Sequence, residues 1–466
     1  MGHVLEALTD YRATSAEPVI TSVVIDSREA IPGCLFVAFV GERHDGHDFV
    51  ADAFNRGAIA ALVSRLPETD DVNIIDTRQG HGEMPDRLPA YILVEDTLTA
   101  LQDISAWWRS RFNISVTGIT GSVGKTSTKE LASAVLSRRF HTLKSSGNQN
   151  NEIGVPLTLL KLEPQYEQAV IEMGMYELGE IARFCELARP QVGVITNISP
   201  VHLERLGSIE NIVRAKQELV EALPEDGIAI LNRDDDWVMG MAQHTNARVF
   251  TYGLDDRADL WASDISSMGL DGIRFQLHYD NDSMNLRIPL LGRHSVHTAL
   301  RASAIGLAQG MSWPEIAAGM SEMSSQLRLV AAPGPYGSIL IDDTYNSSPE
   351  SALAALNLLQ DLDGRRVAVL GDMLELGTAE WQAHRRVGLR AAEVADILVT
   401  VGPRSHIAAE AAVSAGLPRA RVIQVNDAPE AVPVLLDLIE PGDVVLIKGS
   451  LGMAMDRIVS ALGRDA

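Results

Sequence analysis

Residues 120–126, with the sequence TGSVGKT, carry the residue types that bind nucleotide phosphates. Glycines let backbone N–H groups approach phosphate oxygens, Lys125 can reach the β- and γ-phosphates, and the Thr126 hydroxyl can bind Mg²⁺. The match to G-x-x-x-x-G-K-T is imperfect, because Ile119 stands in place of the first glycine. We predict a nucleotide-binding loop rather than a plain glycine-rich turn, because Gly-Lys-Thr lies between a strand-like run and a helical one. The predicted nucleotide contacts in this loop are Gly121, Ser122, Val123, Gly124, Lys125, Thr126 and Ser127.

Two further side chains follow strand-like runs at their carboxyl ends. Glu172 ends the apolar run AVIEMG, where burying a carboxylate is unfavourable unless it has a partner. The carboxyl ends of parallel strands face the ligand crevice, so a metal-binding role is favoured over an exposed acid at a strand end. His202 follows the next run and is expected at the same edge. A single histidine there is more often structural, and only its position beside the other residues makes it a candidate ligand.

Lys216 interrupts the apolar stripe of a predicted helix, SIENIVRAKQELVEAL. A lysine on an apolar face usually extends its ammonium group to the rim. The alternative is that burial lowers its pKa and leaves a neutral amine that can react or be modified. The residues alone leave both interpretations open.

Parallel sheets must position these residues, and the chain shows the corresponding pattern twice. Short β-branched runs that end in Gly, Asp, Glu or Asn are followed by helical segments, which is the βαβ signature. The first series lies at 115–120, 169–174, 192–197, 228–231 and 249–253, with an antiparallel excursion near 259–290. After a helical bridge at 295–310, the second series consists of SILIDDTYN, RVAVLGDM, DILVTVGP and DVVLIKGS.

The predicted fold is therefore α/β with three domains, which agrees with 466 residues at about 150 per domain. Residues 1–112 form a small N-terminal α/β module, and 113–328 form a central domain with the phosphate loop and a parallel sheet. Residues 329–466 form a C-terminal doubly wound, Rossmann-like domain. Three turns at strand ends of this last domain, facing a phosphate-loop domain, suggest a cleft that two domains close.

Composition excludes several classes of protein. The chain has 39 Lys and Arg against 62 Asp and Glu, a net charge of −23, so a polynucleotide-binding surface is not expected. The longest apolar run, 34–40, is too short to cross a bilayer, and the amino-terminal residues lack the pattern of a secretory signal. Cys34 and Cys185 predict neither a disulfide framework nor a metal site. We expect a soluble, cytoplasmic and monomeric protein.

In this order, the motifs resemble those of the Mur ligase family of ATP-dependent amide-bond ligases, over essentially the whole chain. The segments that carry the resemblance are DSREAIPGCLFVAFVGERHDGHDF, TGSVGKTSTKE, GNQNNEIGVPLTLL, EMGM, NISPVHLERLGS, RAKQEL, LLGRHSVH, DDTYNSSPES, LGDMLELG and IKGS. The resemblance is strongest to the branch that extends a UDP-N-acetylmuramoyl-tripeptide. It implies an ADP-forming ligase that adds D-alanyl-D-alanine through an acyl phosphate, in the synthesis of peptidoglycan precursors.

The resemblance also assigns roles to individual residues. Lys216 matches the lysine that becomes carbamoylated by CO₂, Arg328 would contact the γ-phosphate of ATP, and Asp343 would contact its ribose. The implied catalytic residues are Lys125, Glu172, His202 and Lys216. The implied Mg²⁺ ligands are Thr126, Glu172, His202 and Lys216. The implied substrate contacts are Ser27, Arg28, Asp45, Gly46, His47, Asn148 and Asn151.

The chain departs from the family pattern at a few positions. Thr298 stands where the family usually has an adenine-contacting Asn, and Leu451 replaces the Arg that follows Lys-Gly-Ser. Three alternatives stay open: a ligase of this family with another amino acid or acceptor, a phosphate-loop kinase, and a nucleotide-regulated binding protein. A stable phosphorylated product would indicate the kinase, and nucleotide binding without turnover would indicate the binding protein.

Overall fold

The computed structural model describes residues 1–14, 17–41, 44–67, 73–85, 87–200, 203–321 and 330–463. Within these residues the strands form three sheets, of five, nine and six strands, joined by helices. This is the α/β architecture with three domains that the sequence predicts. No helix in the described part of the chain is long and apolar enough to cross a membrane.

The first sheet belongs to the N-terminal module. Its region contains α1 (Gly2–Leu8), β1 (Val23–Val24), β2 (Leu35–Val37), α2 (Val50–Asn55), β3 (Ala60–Val63), β4 (Asn73–Asp76), β5 (Ala90–Leu93) and α3 (Thr97–Arg109). The strand order is β1-β2-β3-β5-β4, and neighbouring strands are parallel. Leu35 and Val37 pack into the core on one face and Phe36 into the core on the other. Both faces are covered, as expected for a parallel sheet.

The second sheet runs through the middle of the chain. Its region contains β6 (Ser115–Thr120), α4 (Lys125–Leu136), β7 (Thr142–Lys144), α5 (Gly154–Leu159), β8 (Gln168–Glu172), α6 (Glu180–Ala188), β9 (Val192–Ile195), α7 (Leu203–Leu206), α8 (Ile209–Glu221), β10 (Ile228–Asn232), α9 (Asp236–Gly240), β11 (Arg248–Gly253), β12 (Leu260–Ser267), β13 (Ile273–Tyr279), β14 (Asp282–Ile288), α10 (Ser295–Ala308) and α11 (Trp313–Ser321). The strand order is β14-β13-β12-β11-β10-β9-β6-β8-β7. Strands β9 to β12 pair in parallel, and β12 to β14 are antiparallel. The antiparallel excursion predicted near 259–290 is thus confirmed.

The third sheet is doubly wound, as predicted. Its region contains β15 (Val330–Pro333), β16 (Ile339–Asp343), α12 (Pro349–Gln360), β17 (Arg366–Gly371), α13 (Glu380–Val394), β18 (Ile397–Val401), α14 (His406–Ser414), β19 (Val422–Val425), α15 (Ala428–Leu438), β20 (Val444–Lys448) and α16 (Asp456–Leu462). The strand order is β15-β16-β20-β17-β18-β19, with β15 antiparallel to its neighbour. In β17, Ala368 and Leu370 pack into one core, and Val367 and Val369 pack into the other. Strands β15 and β19 were not among the four predicted.

By packing, the chain forms two compact units. The first comprises residues 1–118, 141–175 and 180–190, and the second comprises residues 119–140, 176–179 and 191–466. The division falls within β6, after Gly118. The domain limits at 112 and 328 therefore stay predictions, and residue 328 lies outside the described ranges.

Candidate active site

The phosphate loop connects β6 to α4, as the sequence predicts. Gly124 precedes the helix in a left-handed conformation, with φ +85°, and Gly121 has φ +141°. A Cβ atom on Gly121 would lie 1.8 Å from Oγ1 of Thr196. Gly124 is therefore required by its left-handed backbone conformation. Gly121 is required by its positive φ and also by its close contact with Thr196. Lys125, Thr126 and Ser127 form the first turn of α4, where the helix dipole favours an anion.

Lys125 folds back over the loop that contains it. Its Nζ donates hydrogen bonds to the carbonyl oxygens of Gly121, at 2.8 Å, and Ser122, at 3.4 Å. The ammonium group is thus held beside the glycine-rich backbone and the helix N-terminus. These groups together form a cradle that fits the phosphates of a nucleotide.

The segment after β9 holds the loop in place. Asn197 Oδ1 accepts a hydrogen bond from Val123 N, and Asn197 Nδ2 donates to Val123 O, each at 3.0 Å. Ser122 N donates to Asn197 O at 2.9 Å. The Ser122 hydroxyl donates to Ser199 O at 3.0 Å and accepts from Ser199 N at 2.9 Å. Two predicted nucleotide contacts, Ser122 and Val123, are thereby fixed by residues that follow the neighbouring strand.

Lys216 lies on α8 and is 2% exposed. In the described part of the chain its ammonium group forms no ion pair and no hydrogen bond. Burial lowers its pKa well below the ordinary lysine value, and repulsion from Lys125 lowers this pKa further. Of the two interpretations left open by the sequence, the buried amine is the one observed.

Glu172 ends β8 in the first compact unit and is 1% exposed. Its Oε1 accepts a hydrogen bond from Asn150 Nδ2 at 2.9 Å, and its backbone N donates to Ser145 Oγ at 3.1 Å. In the same segment, Asn151 Oδ1 accepts from Gly154 N at 2.8 Å, which shapes the turn before α5. The backbone oxygen of Asn148 accepts from Asn150 N at 2.8 Å. The segment therefore orients the buried carboxylate.

Two predicted substrate contacts, Ser27 and Arg28, begin a short 3₁₀ turn at Ser27–Glu29. Asp26 caps this turn, since its Oδ1 accepts from Arg28 N at 2.9 Å. Its carboxylate also pairs with the exposed Arg28 guanidinium at 2.5 Å, which lowers the pKa of Asp26 to about 2. The turn therefore presents Arg28, whose positive charge is partly balanced by the Asp26 carboxylate.

The other predicted turn of this module begins at Asp45 and includes Gly46 and His47. Asp45 Oδ1 accepts from His47 N at 2.9 Å and lies 2.6 Å from His47 Nδ1. Hydrogen bonding from Arg65, at 2.7 Å, and from His47 lowers the pKa of Asp45. A Cβ on Gly46 would meet the Phe39 backbone at 2.8 Å, so this turn needs glycine there. The imidazole is held in one orientation.

Asp343 and Lys448 lie at the carboxyl ends of paired strands of the third sheet, β16 and β20. Lys448 Nζ lies 2.8 Å from Asp343 Oδ2 and donates to Asn346 O at 2.9 Å. Burial raises the pKa of Asp343, and the lysine opposes this rise. The predicted ribose contact thus forms an ion pair with a lysine that is 1% exposed.

The predicted metal site is only partly within the described residues. His202 and Arg328 both lie outside them. Within the described ranges, no group of three or more His, Cys, Asp and Glu is placed to hold a metal ion. Of the predicted ligands Thr126, Glu172, His202 and Lys216, only Glu172 is a described residue of those four types.

Three family models match successive parts of the chain. They are described as the Mur ligase family catalytic domain, at residues 19–109, the Mur ligase middle domain, at 119–306, and the Mur ligase glutamate ligase domain, at 328–451. The UDP-N-acetylmuramoyl-tripeptide–D-alanyl-D-alanine ligase of Escherichia coli is 37% identical, over 98% of this chain and 98% of its own length. The chain belongs to the Mur ligase family.

A second relative and two solved structures agree with that assignment. The ligase of the same name from Synechocystis sp. is 37% identical over 95% of this chain and 92% of its own. A crystal structure of MurF from Acinetobacter baumannii has a TM-score of 0.83 at 30% identity, and covers 100% of this chain and 98% of its own. A structure of MurF ligase from Thermotoga maritima in complex with ADP has a TM-score of 0.79 at 25% identity, over 95% of this chain and 97% of its own.

In this Mur ligase, sequence reasoning missed the residues that hold the functional groups. Asn197 fixes the phosphate loop, and Ser145 and Asn150 hold Glu172. A signal existed for Asn197, because it directly follows an apolar run that ends at the predicted ligand edge. Polar residues in loops, such as Ser145, carry no such signal.

Proposed function

We propose that this Mur ligase joins D-alanyl-D-alanine to the carboxylate of a UDP-N-acetylmuramoyl-tripeptide and converts ATP to ADP and phosphate. The observation that carries the proposal is the phosphate loop with its folded-back Lys125. The names of the relatives, at 37% identity over nearly the whole chain, support the choice of substrates. The reaction belongs to peptidoglycan precursor synthesis.

The chemistry follows from the properties of a carboxylate. Hydroxide is a poor leaving group, so the acceptor carboxylate first attacks the γ-phosphorus of ATP, and ADP leaves. The dipeptide amine then attacks the resulting acyl phosphate, phosphate leaves, and the amine nitrogen loses a proton. The Lys125 ammonium and the N-terminus of α4 stabilise the charge on the phosphates during the first step.

Mg²⁺ would neutralise phosphate charge, and the chemistry of its proposed ligands fits this ion. A threonine hydroxyl at Thr126 and a buried carboxylate at Glu172 are hard oxygen donors, which Mg²⁺ prefers. We propose His202 as a further ligand. Lys216 would join the set after modification: its neutral amine attacks CO₂, an N–C bond forms, and a proton is released. The carbamate that results carries the negative oxygen that a hard cation requires.

We assign the uridine end of the acceptor to the N-terminal module, at Ser27, Arg28 and the turn of residues 45–47. Asn148 and Asn151 would contact the acceptor. Arg328 would contact the γ-phosphate and Asp343 the ribose. The domain limits 1–112, 113–328 and 329–466 are part of the same proposal. We also propose that the protein is cytoplasmic and monomeric.

The function is tested with purified protein, ATP, Mg²⁺, UDP-N-acetylmuramoyl-tripeptide and D-alanyl-D-alanine. We expect a product with the mass of acceptor plus dipeptide minus water, and one ADP formed per product. L-alanyl-L-alanine and D-glutamate serve as matched alternative amines. A phosphorylated acceptor without amide would favour a kinase, and nucleotide binding without turnover would favour a regulated binding protein.

The Lys125→Ala variant tests the loop within the same assay. Removal of a charge that meets the β- and γ-phosphates is expected to lower ADP formation by at least about 100-fold. Circular dichroism should show an unchanged fold, because the hydrogen bonds of the Lys125 ammonium to the carbonyls of Gly121 and Ser122 lie within the loop itself. Full turnover in a folded variant would overturn the assignment.

A further inference from the structure

Arg301, on α10, reaches the first turn of α4. The residue is 4% exposed, and its Nε donates to Thr128 Oγ1 at 2.7 Å. One NH2 group donates to Thr298 Oγ1 at 3.0 Å. The Thr128 hydroxyl in turn donates to the Gly124 carbonyl at 2.6 Å. The guanidinium is thereby linked to the last glycine of the phosphate loop.

The guanidinium also lies directly against that glycine. A Cβ atom on Gly124 would be 3.0 Å from NH2 of Arg301. Its Cζ lies 5.8 Å from the centroid of the buried Tyr252 ring. Burial raises the pKa of Tyr252 to about 12, and the charge of Arg301 opposes this rise. Arg301 therefore occupies a packed position beside the N-terminus of α4.

The surroundings of Arg301 contain other cationic groups and no carboxylate paired with it in the described part of the chain. Its hydrogen-bond acceptors above are neutral hydroxyl oxygens. The N-terminus of α4 carries partial positive charge, and Lys125 adds a full charge. Burial lowers the pKa of His294 to about 4, and Lys448, His297 and Arg301 add to this effect. Arg301 and Lys125 thus bring two cationic side chains close to the N-terminus of α4.

Arg109 is an equally buried arginine with different hydrogen-bond acceptors. It is also 4% exposed, but its guanidinium donates to the carbonyl oxygens of Ala188, Phe112 and Ile114 at 2.9, 2.8 and 3.3 Å. Arg109 is the last residue of α3, and Ala188 is the last residue of α6. Helix C-termini carry partial negative charge, which favours a guanidinium there, although burial and repulsion from Arg189 lower the pKa of Arg109. Arg109 therefore has backbone carbonyl acceptors, whereas the acceptors of Arg301 named above are hydroxyl groups beside the phosphate loop.

We propose that Arg301 is part of the phosphate site, where its positive charge binds the phosphates of the nucleotide held by residues 121–127. Buried charges are normally balanced by a partner, and a nucleotide anion at this loop would be an anionic partner for Arg301, which forms no ion pair in the described part of the chain. The proposal rests on the ATP use proposed above. It adds a phosphate-binding residue from α10, outside the glycine-rich motif.

The test compares Arg301→Gln, which keeps hydrogen-bond donors but removes the charge, with Arg301→Lys, which keeps the charge. Arg109→Gln is the matched control for loss of a buried guanidinium. ADP binding is measured by calorimetry and adenosine binding by ligand-observed NMR. Arg301→Gln is expected to weaken ADP binding by about 10- to 100-fold, the range of a charge-assisted contact, and to weaken adenosine binding much less. Arg301→Lys should weaken ADP binding less, and Arg109→Gln should not change it.

The result that overturns the proposal is an Arg301→Gln variant that binds ADP like the wild type, or that loses ADP and adenosine affinity equally. If this variant does not fold, the ¹⁵Nε signal of Arg301 in the wild type, assigned by its loss in Arg301→Lys, carries the test. Saturation with ADP should shift this signal clearly more than saturation with adenosine does; equal shifts, or a signal that ADP leaves unchanged, overturn the proposal. A wild type that binds no ADP would instead overturn the proposed function.

Discussion

Lys216 and Lys448 are two lysines with nearly equal burial and different surroundings. They are 2% and 1% exposed. Lys448 pairs with Asp343 at 2.8 Å and donates to the Asn346 carbonyl at 2.9 Å. Lys216 has no such partner among the described residues. The comparison teaches that burial alone does not decide what a lysine does, because the partner determines which protonation state is stable.

The physical reason is the free energy of removing a charge from water. Burial penalises the ammonium form, and a nearby carboxylate compensates for that penalty, as Asp343 does for Lys448. Near Lys216 the electrostatic influence comes from another cation, Lys125, and therefore lowers the pKa further. Lys448 is suited to an ion pair between two strands, whereas Lys216 is suited to the neutral state that the proposed reaction with CO₂ requires.

The largest effect is expected from Lys216→Ala. Loss of the amine removes the proposed carbamate, and we expect turnover to fall by at least about 100-fold. A short carboxylic acid such as formate should restore part of the rate in this variant, because it can fill the vacated space, and should not accelerate the wild type. Turnover is followed by ADP release. Wild-type activity of Lys216→Ala under CO₂-free conditions would contradict the carbamate.

The next effect, on stability, concerns the paired lysine. Lys448→Met leaves the Asp343 carboxylate without its ammonium partner, and we expect the free energy of unfolding to fall by about 1–3 kcal/mol. Urea denaturation measures this change. A Lys448→Met/Asp343→Asn double variant should lose less than the sum of the two single changes, if the pair is coupled. Strict additivity would show that the ion pair contributes nothing.

Lys216→Met should have the opposite effect on stability. The pKa of Lys216 in the folded state lies below its unfolded value of about 10.4, so between these two pKa values the unfolded state binds the extra proton. The stability of the wild type should therefore rise with pH in that window, and Lys216→Met should lack this contribution. At neutral pH, without CO₂, we expect its Tm to be higher by about 2–4 °C. A lower Tm would show that the amine is stabilised by contacts in the folded protein.

The smallest effect is expected from polynucleotides. Lys216 and Lys448 are buried, so they do not create a basic surface on a chain of net charge −23. DNA and RNA should neither bind tightly nor change ATP hydrolysis, whereas the UDP-linked acceptor should stimulate it. Gel mobility and ADP release at two salt concentrations measure both. Tight, salt-sensitive binding would contradict this prediction.

Much of the fold and part of the site could be predicted because the relevant signals are local. The phosphate loop was found from a glycine-lysine-threonine motif between a strand and a helix, and Lys216 from its place in an apolar stripe. The residues that hold these groups could not be found in this way. Asn197 binds the loop from more than 70 positions away in sequence, and Asn150 holds Glu172 from a different segment. Such contacts depend on how strands are ordered in a sheet, which periodicity does not reveal.

By itself, the sequence determined the succession of strands and helices, the three domains, the phosphate loop and the family, because these depend on residue types at short spacing. Only the tertiary structure decided which buried charge has a partner. Lys448 and Asp343 are joined by the pairing of β16 with β20, and Arg301 is brought from α10 to Gly124. Lys216 forms no ion pair in the described part of the chain. The physical reason is that electrostatic free energy depends on distance and solvent exclusion in three dimensions, and neither is encoded by the order of residues along a single element.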